Sequence, residues 1–194
     1  MAVAGPLALT PEIETFRRQF EALSVEADAL VAPLDDEQFS WRPAPGAWSV
    51  GQCLDHLNAT ARMYLPVMDE GIAVAIRRGL YGAGPFRYNW VGRLFVYLVQ
   101  PTTRLRAKEP AQFLPAPARP RHDVMAAFRA YQVQYVDRLR QANGLDLARA
   151  RVASPAASWL RIPLGSSFEL MAAHERRHLV QARRLLDAPG FPRR

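Results

Sequence analysis

Apolar side chains recur at steps of three and four along four separate stretches of the chain, and this spacing predicts four long helices. The first stretch runs from Ile13 to Leu30. Thr10 and Pro11 suit its N-cap and first helical position, and Pro33 ends it. Because residues at this spacing share one face, each helix needs neighbours that cover its apolar side.

The other three long helices carry boundary signals of their own. Ser49 and Gln52 have the spacing of a capping box, and so do Ser166 and Glu169. Asn143–Gly144 is a typical helix C-terminus. The predicted ranges are 49–78, with Pro66 inside, 123–142 and 166–186.

The segments between these helices lack strand signals. Residues 89–99 are apolar and are predicted to be a short helix, while 100–120 contains five prolines and is predicted to be an extended surface connection. Residues 145–164 are predicted to be a long loop, with no β-hairpin. We therefore expect an all-α fold, an antiparallel four-helix bundle with long crossover loops, formed by residues 1–194 as a single domain.

Composition narrows the functional classes. The formal charge is +7, but the arginines are scattered in pairs, which is typical of solvated helix faces and not of one nucleic-acid-binding stripe. Cys53 is the single cysteine, so a disulfide framework and a cysteine-based zinc finger are excluded. The chain has no run of about 18 apolar residues and no basic segment before its N-terminal apolar run. We expect a cytoplasmic protein without a membrane span.

Two of the four histidines, His174 and His178, lie four residues apart on the predicted last helix and so share one face. This spacing suits two ligands of one divalent metal ion. His56 borders the apolar stripe of the second long helix, so it too can point into the bundle. Three neutral imidazoles would leave positions open for water or substrate, as in catalytic metal sites. His122 is predicted to be a surface or capping residue.

Each histidine also has a structural interpretation. A single histidine such as His56 is more often a core residue than a ligand. A histidine pair alone is equally consistent with a metal site and with a structural role. The pair together with His56, inside one bundle, favours a metal site. The sequence does not distinguish zinc, nickel and iron, which all accept imidazole ligands.

The segment HERRH, residues 174–178, matches the H-E-x-x-H pattern of zinc peptidases. Those enzymes take a third ligand from further along the chain, but the residues after His178 contain no histidine or glutamate, and Asp187 lies on the same helix. The sequence therefore argues against a peptidase. Glu175 lies about 100° around the helix from His174, and we expect it on a solvated face with Arg176 and Arg177.

Two blocks of sequence resemble the DinB/YfiT-like superfamily. The stretch FSWRPAPGAWSVGQCLDHL, residues 39–57, is similar to the family's Trp-x-Pro turn, its P-x-x-W-S helix entry and its His-Leu pair. The stretch LMAAHERRHLVQARRLL, residues 170–186, is similar to the family's last helix, with H-x-x-x-H followed by Gln. The two blocks stand in the family's order and separation.

The resemblance implies a four-helix bundle that holds a divalent metal ion through His56, His174 and His178, and a homodimer. It also implies a function for some members: several relatives are transferases that use a low-molecular-weight thiol, bacillithiol or mycothiol, and others are thiol-dependent isomerases. A thiol bound at a three-histidine site would be the nucleophilic thiolate. Our leading hypothesis is a metal-dependent transferase or hydrolase acting on a small molecule. The alternative is a non-enzymatic metal-binding or stress-response protein, since no general base can be assigned.

Several residues near the histidines in sequence could assist a metal site or have a structural role. Gln181, one turn beyond His178, is a candidate contact for a ligand or cofactor. Asp55 and Asn58 flank His56, and we expect both to face solvent. Cys53 is predicted to be a small buried residue. Trp41 and Trp48 are predicted to pack at the entry to the second long helix.

Overall fold

A computed structural model describes residues 8–100 and 110–193. The described residues form six α-helices and one small antiparallel sheet. The helices are α1 (Pro11–Val31), α2 (Asp36–Ser40), α3 (Val50–Arg77), α4 (Trp90–Val99), α5 (Arg121–Gln141) and α6 (Leu164–Leu186). The strands are β1 (Arg151–Ser154) and β2 (Ala157–Pro163). None of the described helices is long and apolar enough to cross a membrane.

The four long helices, α1, α3, α5 and α6, close into a ring in the order α1–α5–α3–α6. Each packs against two of the others, so its apolar stripe is covered from both sides. The ring of Phe20 in α1 stacks on that of Tyr135 in α5 at a centroid distance of 4.7 Å. Phe16 similarly packs against Phe168 of α6. Consequently, the four-helix bundle predicted from the apolar spacing is confirmed.

Local signals explain most of the helix boundaries. Ser49 and Gln52 form both hydrogen bonds of the capping box that begins α3. The helix then continues through Pro66, which lies on its exposed side. The short helix α2, between α1 and α3, begins with a second complete capping box between Asp35 and Gln38. The predicted helix in residues 89–99 is present as α4.

The predicted capping box at the start of the last helix is wrong. Helix α6 begins two residues earlier, at Leu164, and the hydroxyl of Ser166 is buried without a hydrogen-bond partner among the described residues. The first amide groups of α6 donate instead to main-chain carbonyls: Leu164 N to Ala150 O at 2.9 Å and Gly165 N to Leu147 O at 3.1 Å. Because these carbonyls satisfy the amide groups, no side-chain cap is needed.

The expectation of an all-α fold without a hairpin also needs correction. Strands β1 and β2 pair antiparallel within the segment expected to be a loop, with Val152 opposite Ile162. Both side chains are buried and pack into the core, which stabilises a hairpin that would be marginal alone. The connection between the strands, Pro155–Ala156, contains none of the Gly or Asn signals that predict a hairpin turn.

Of the proline-rich segment 100–120, residues 101–109 lie outside the described part of the chain, whereas Gln100 and residues 110–120 lie within it. Ala111–Phe113 form one 3₁₀ turn, and Phe113 is buried against α3. The ring of Tyr64 in α3 lies 6.4 Å from that of Phe113, centroid to centroid. This anchored turn brings main-chain atoms of the segment to the middle of the bundle.

Candidate metal centre

Three histidines from two adjacent helices of the ring point to one place. His56 lies on α3, and His174 and His178 lie one turn apart on α6. The Nε2 atom of His174 is 3.2 Å from that of His56 and 3.1 Å from that of His178. His56 and His178 are buried, whereas His174 is half-buried. The structure therefore brings together the three residues that the sequence singled out.

A main-chain carbonyl sets the protonation of His56. Its Nδ1 atom lies 2.6 Å from the carbonyl oxygen of Phe113. Because a carbonyl only accepts hydrogen bonds, Nδ1 must carry the hydrogen, and in a neutral ring Nε2 then carries the lone pair. That lone pair faces the other two histidines. No sequence signal pointed to Phe113, since the contact is made by its main chain.

Electrostatics keeps the α6 histidines neutral. Burial, reinforced by His56 and Arg177, lowers the pKa of His178 to about 3, and Gln181 opposes this shift. Burial, followed by the neighbouring His178 and His56, holds the pKa of His174 well below its usual value. Neutral imidazoles are the form that binds metal ions. Near neutral pH, both rings are therefore ready to act as ligands.

The donor set fits a divalent ion. The Nε2 atom of His174 lies 3.1–3.2 Å from those of the other two histidines, and all three ligand atoms lie within 4.8 Å of one another, which is close enough for one ion to bind them together. The ring nitrogens that converge are the Nε2 atoms. The Nδ1 atom of His178 is buried and has no hydrogen-bond partner in the described part of the chain. Across residues 8–100 and 110–193, this is the one cluster in which three or more histidine, cysteine, aspartate or glutamate side chains lie close enough to hold one metal ion.

An aromatic side chain covers two of the rings. The ring of Trp48 lies 4.9 Å from that of His56 and 5.7 Å from that of His178, centroid to centroid. Trp48 is thus part of the site and not only a packing residue at the entry to α3. Trp41 has the predicted structural role, since it packs edge-on against Phe191. Gln181 is half-buried and interacts with His178, without completing a hydrogen bond to Nδ1.

The prediction that Glu175 lies on a solvated face is wrong. Its side chain is buried, and Oε1 accepts a hydrogen bond of 3.0 Å from Gln132 of α5. Burial raises the pKa of Glu175 to about 8. Arg177, also expected in solvent, is half-buried and donates to the carbonyl of Leu98 at 2.9 Å. The glutamate of the HERRH segment therefore faces α5, which removes it from the general-base position of a zinc peptidase.

The expectation that Asp55 and Asn58 face solvent is also wrong. Both are buried and hold the segment that leads into α5. Asp55 accepts from the amide of Ala116 and from Arg119, and Asn58 donates to the carbonyl of Val124. Cys53 is buried as predicted, and burial raises the pKa of its thiol to about 12.

A second concave region lies between α1 and α6. Its volume is about 480 Å³, and its lining includes Glu12, Tyr88, Glu169 and Arg176. None of the three clustered histidines lines it. We place the candidate site at the histidines, because three converging neutral ligand atoms can bind a metal ion, whereas a cleft alone indicates no chemistry.

The chain is similar to one known protein family and to one solved structure. The sequence model of the DinB superfamily matches residues 19–182. A solved structure, YfiT from Bacillus subtilis, has a similar fold with a TM-score of 0.61 and 12% sequence identity. The match covers 94% of this chain and 91% of that protein, which is described as a probable metal-dependent hydrolase with an unusual four-helix bundle topology. No protein of curated function matches this sequence significantly.

Proposed function

Because this chain belongs to the DinB superfamily, and because three of its imidazoles converge, we propose that it is a divalent-metal-dependent enzyme. His56, His174 and His178 would hold the ion. The convergence of their three Nε2 atoms is the observation that carries the proposal. The fold similarity to YfiT supports it, since that protein is described as a probable metal-dependent hydrolase.

A zinc, nickel or iron ion bound here would lower the pKa of a water or thiol bound to it and so supply a nucleophile at neutral pH. The protein residues have separate tasks. The carbonyl of Phe113 fixes the His56 ring, and Trp48 shields two of the ligand rings. Of the three ligand residues, His174 is the one with partial exposure, and we propose that small molecules approach the ion from its side. We propose Gln181 as a contact for the substrate or a thiol cofactor.

Two reaction classes use such a nucleophile. With water the protein would be a hydrolase, and with a low-molecular-weight thiol of the bacillithiol or mycothiol type it would be an S-transferase. The metal-loaded protein should be assayed with activated esters and amides without thiol, and with electrophiles in the presence of each thiol. Turnover that needs the thiol identifies a transferase, and turnover that does not need it identifies a hydrolase.

The metal site itself can be tested by elemental analysis of tag-free protein. We expect about one zinc, nickel or iron ion per chain in the wild type and little in His178→Ala or His174→Ala. His122→Ala is the matched control, because His122 is exposed on α5 and pairs only with its neighbour Asp123 in the described structure. A wild type that stays folded but takes up no added metal would refute the proposal.

A non-enzymatic metal-binding protein is the second candidate. It is favoured by the absence of a carboxylate from the ligand cluster in the described residues. Glu175 and Asp55, which adjoin ligands in sequence, are engaged with Gln132 and Arg119. If the metal-loaded protein turns over no member of the two substrate panels, this function replaces the enzymatic one.

We further propose that residues 1–194 form a single domain, that the long helices run antiparallel with long crossovers, and that the protein acts as a homodimer in the cytoplasm on a small molecule. Light scattering coupled to size-exclusion chromatography tests the dimer directly. A mass of one chain at micromolar concentration would contradict it.

A further inference from the structure

The acceptor that fixes the His56 ring belongs to a segment without regular structure of its own. Phe113 ends a single 3₁₀ turn, and the chain continues from Leu114 in extended conformation. The buried ring of Phe113 anchors this turn to α3, but no strand ladder or long helix fixes the direction of its carbonyl. A further restraint on the segment would help to keep the carbonyl 2.6 Å from Nδ1 of His56.

Asp55, the residue before His56 on α3, holds the following part of this segment. One carboxylate oxygen accepts from the amide of Ala116 at 2.8 Å, and the other accepts from Arg119 at 2.9 Å. The side chain of Asp55 is only 9% exposed. Because the hydrogen bonds are charge-assisted and poorly hydrated, they restrain the segment more than a surface pair would. Only two residues separate Phe113 from Ala116, so the restraint acts close to the carbonyl.

We propose that Asp55 is a positioning residue for His56: by clamping Ala116 and Arg119 it keeps the Phe113 carbonyl on Nδ1 and so keeps the Nε2 lone pair available to a metal ion. The inference rests on the proposed metal site. Without the clamp, the carbonyl is free to move away, and the hydrogen of the neutral ring is free to occupy Nε2. A ring with its hydrogen on Nε2 cannot donate to the ion from that atom.

The first test compares two isosteric changes on α3. Asp55→Asn removes the charge of the clamp. Asp69→Asn removes the charge of another carboxylate of α3, thirteen positions after His56, which accepts hydrogen bonds of 2.8–2.9 Å from Arg138 of α5. We expect zinc affinity, measured by competition with a chromophoric chelator, to fall about 10-fold or more in Asp55→Asn. Asp69→Asn should bind zinc as the wild type does. Equal affinities in all three proteins would overturn the inference.

Arg119→Gln separates positioning from simple electrostatics. Loss of a positive charge near the site would by itself strengthen the binding of a cation. Loss of the clamp would weaken it. We expect weaker zinc binding, in the same direction as Asp55→Asn, and stronger binding would overturn the inference. Arg119 is partly exposed, so this variant also serves if Asp55→Asn does not fold.

A second readout needs no metal. Nitrogen-15 NMR of the imidazole of His56 in chelator-treated protein reports which ring nitrogen carries the hydrogen. We expect Nδ1–H in the wild type and in Asp69→Asn, and a mixture of tautomers in Asp55→Asn and Arg119→Gln. A wild type that binds neither zinc, nickel nor iron would refute the proposed function while this comparison still tests the clamp. Unchanged tautomers in both clamp variants would refute the clamp alone.

Discussion

Glu175→Gln should make the protein more stable at neutral and alkaline pH. The Glu175 carboxyl is buried between α6 and α5, with Oε1 bonded to Gln132 and Oε2 without a partner in the described residues. An ionised carboxylate is costly there, which is why burial raises its pKa to about 8. Glutamine has nearly the same shape and carries no charge, so it avoids this cost.

The size of the effect follows from the two protonation equilibria. The pKa of Glu175 is 4.5 without the shift and about 8 in the folded protein. Folding therefore takes up a proton between these pH values. Stability is fully retained below pH 4.5 and declines as the pH rises towards 8, by at most about 1.4 kcal/mol per pH unit. At pH 7 the penalty is about 3 kcal/mol as an upper limit.

Urea unfolding at pH 5, 6, 7 and 8, with chelator present throughout, measures the effect. We expect the free energy of unfolding of the wild type to fall steadily relative to that of Glu175→Gln across this range. Glu70→Gln is the control, because Glu70 is an exposed carboxylate of α3. Its pH dependence should match that of the wild type. If Glu175→Gln keeps the same pH slope as the wild type, the carboxyl is not held protonated by burial and the reasoning fails.

Two further predictions follow from packing. Because Cys53 is fully buried and its thiol pKa is raised to about 12, the folded protein should not react with a thiol reagent such as DTNB, and reaction should appear only when the protein is unfolded. Gly71→Ala should lower the free energy of unfolding by about 1–3 kcal/mol, since a Cβ there would lie 2.8 Å from the main-chain oxygen of Arg151; an unchanged urea midpoint would show that β1 can move away.

The sequence predicted the parts of the structure that depend on local pattern. The range of α3 agreed with the prediction because its capping box and apolar stripe are properties of neighbouring residues. The convergence of His56 with His174 was also foreseen, from the apolar stripes on which they lie. These features need no knowledge of what packs against them.

Contacts made by other parts of the chain were missed. Glu175 was placed in solvent because it lies beside two arginines, but this side of α6 faces the interior of the bundle, where Gln132 of α5 donates a hydrogen bond to it. Phe113 contributes a carbonyl, a group that every residue has, so its identity carried no signal. The cap of α6 was missed for the same reason, because main-chain carbonyls of another segment accept from its first amide groups.

The separation of His56 and His174 by 118 positions links metal supply to folding. An unfolded chain retains only the neighbouring pair on α6, and bringing His56 to it means closing a loop of more than one hundred residues against chain entropy. An ion held by all three residues therefore favours the folded state by mass action, by about 2.7 kcal/mol when its free concentration is 100 times the dissociation constant. The amount of folded protein in a cell would then follow the concentration of available metal.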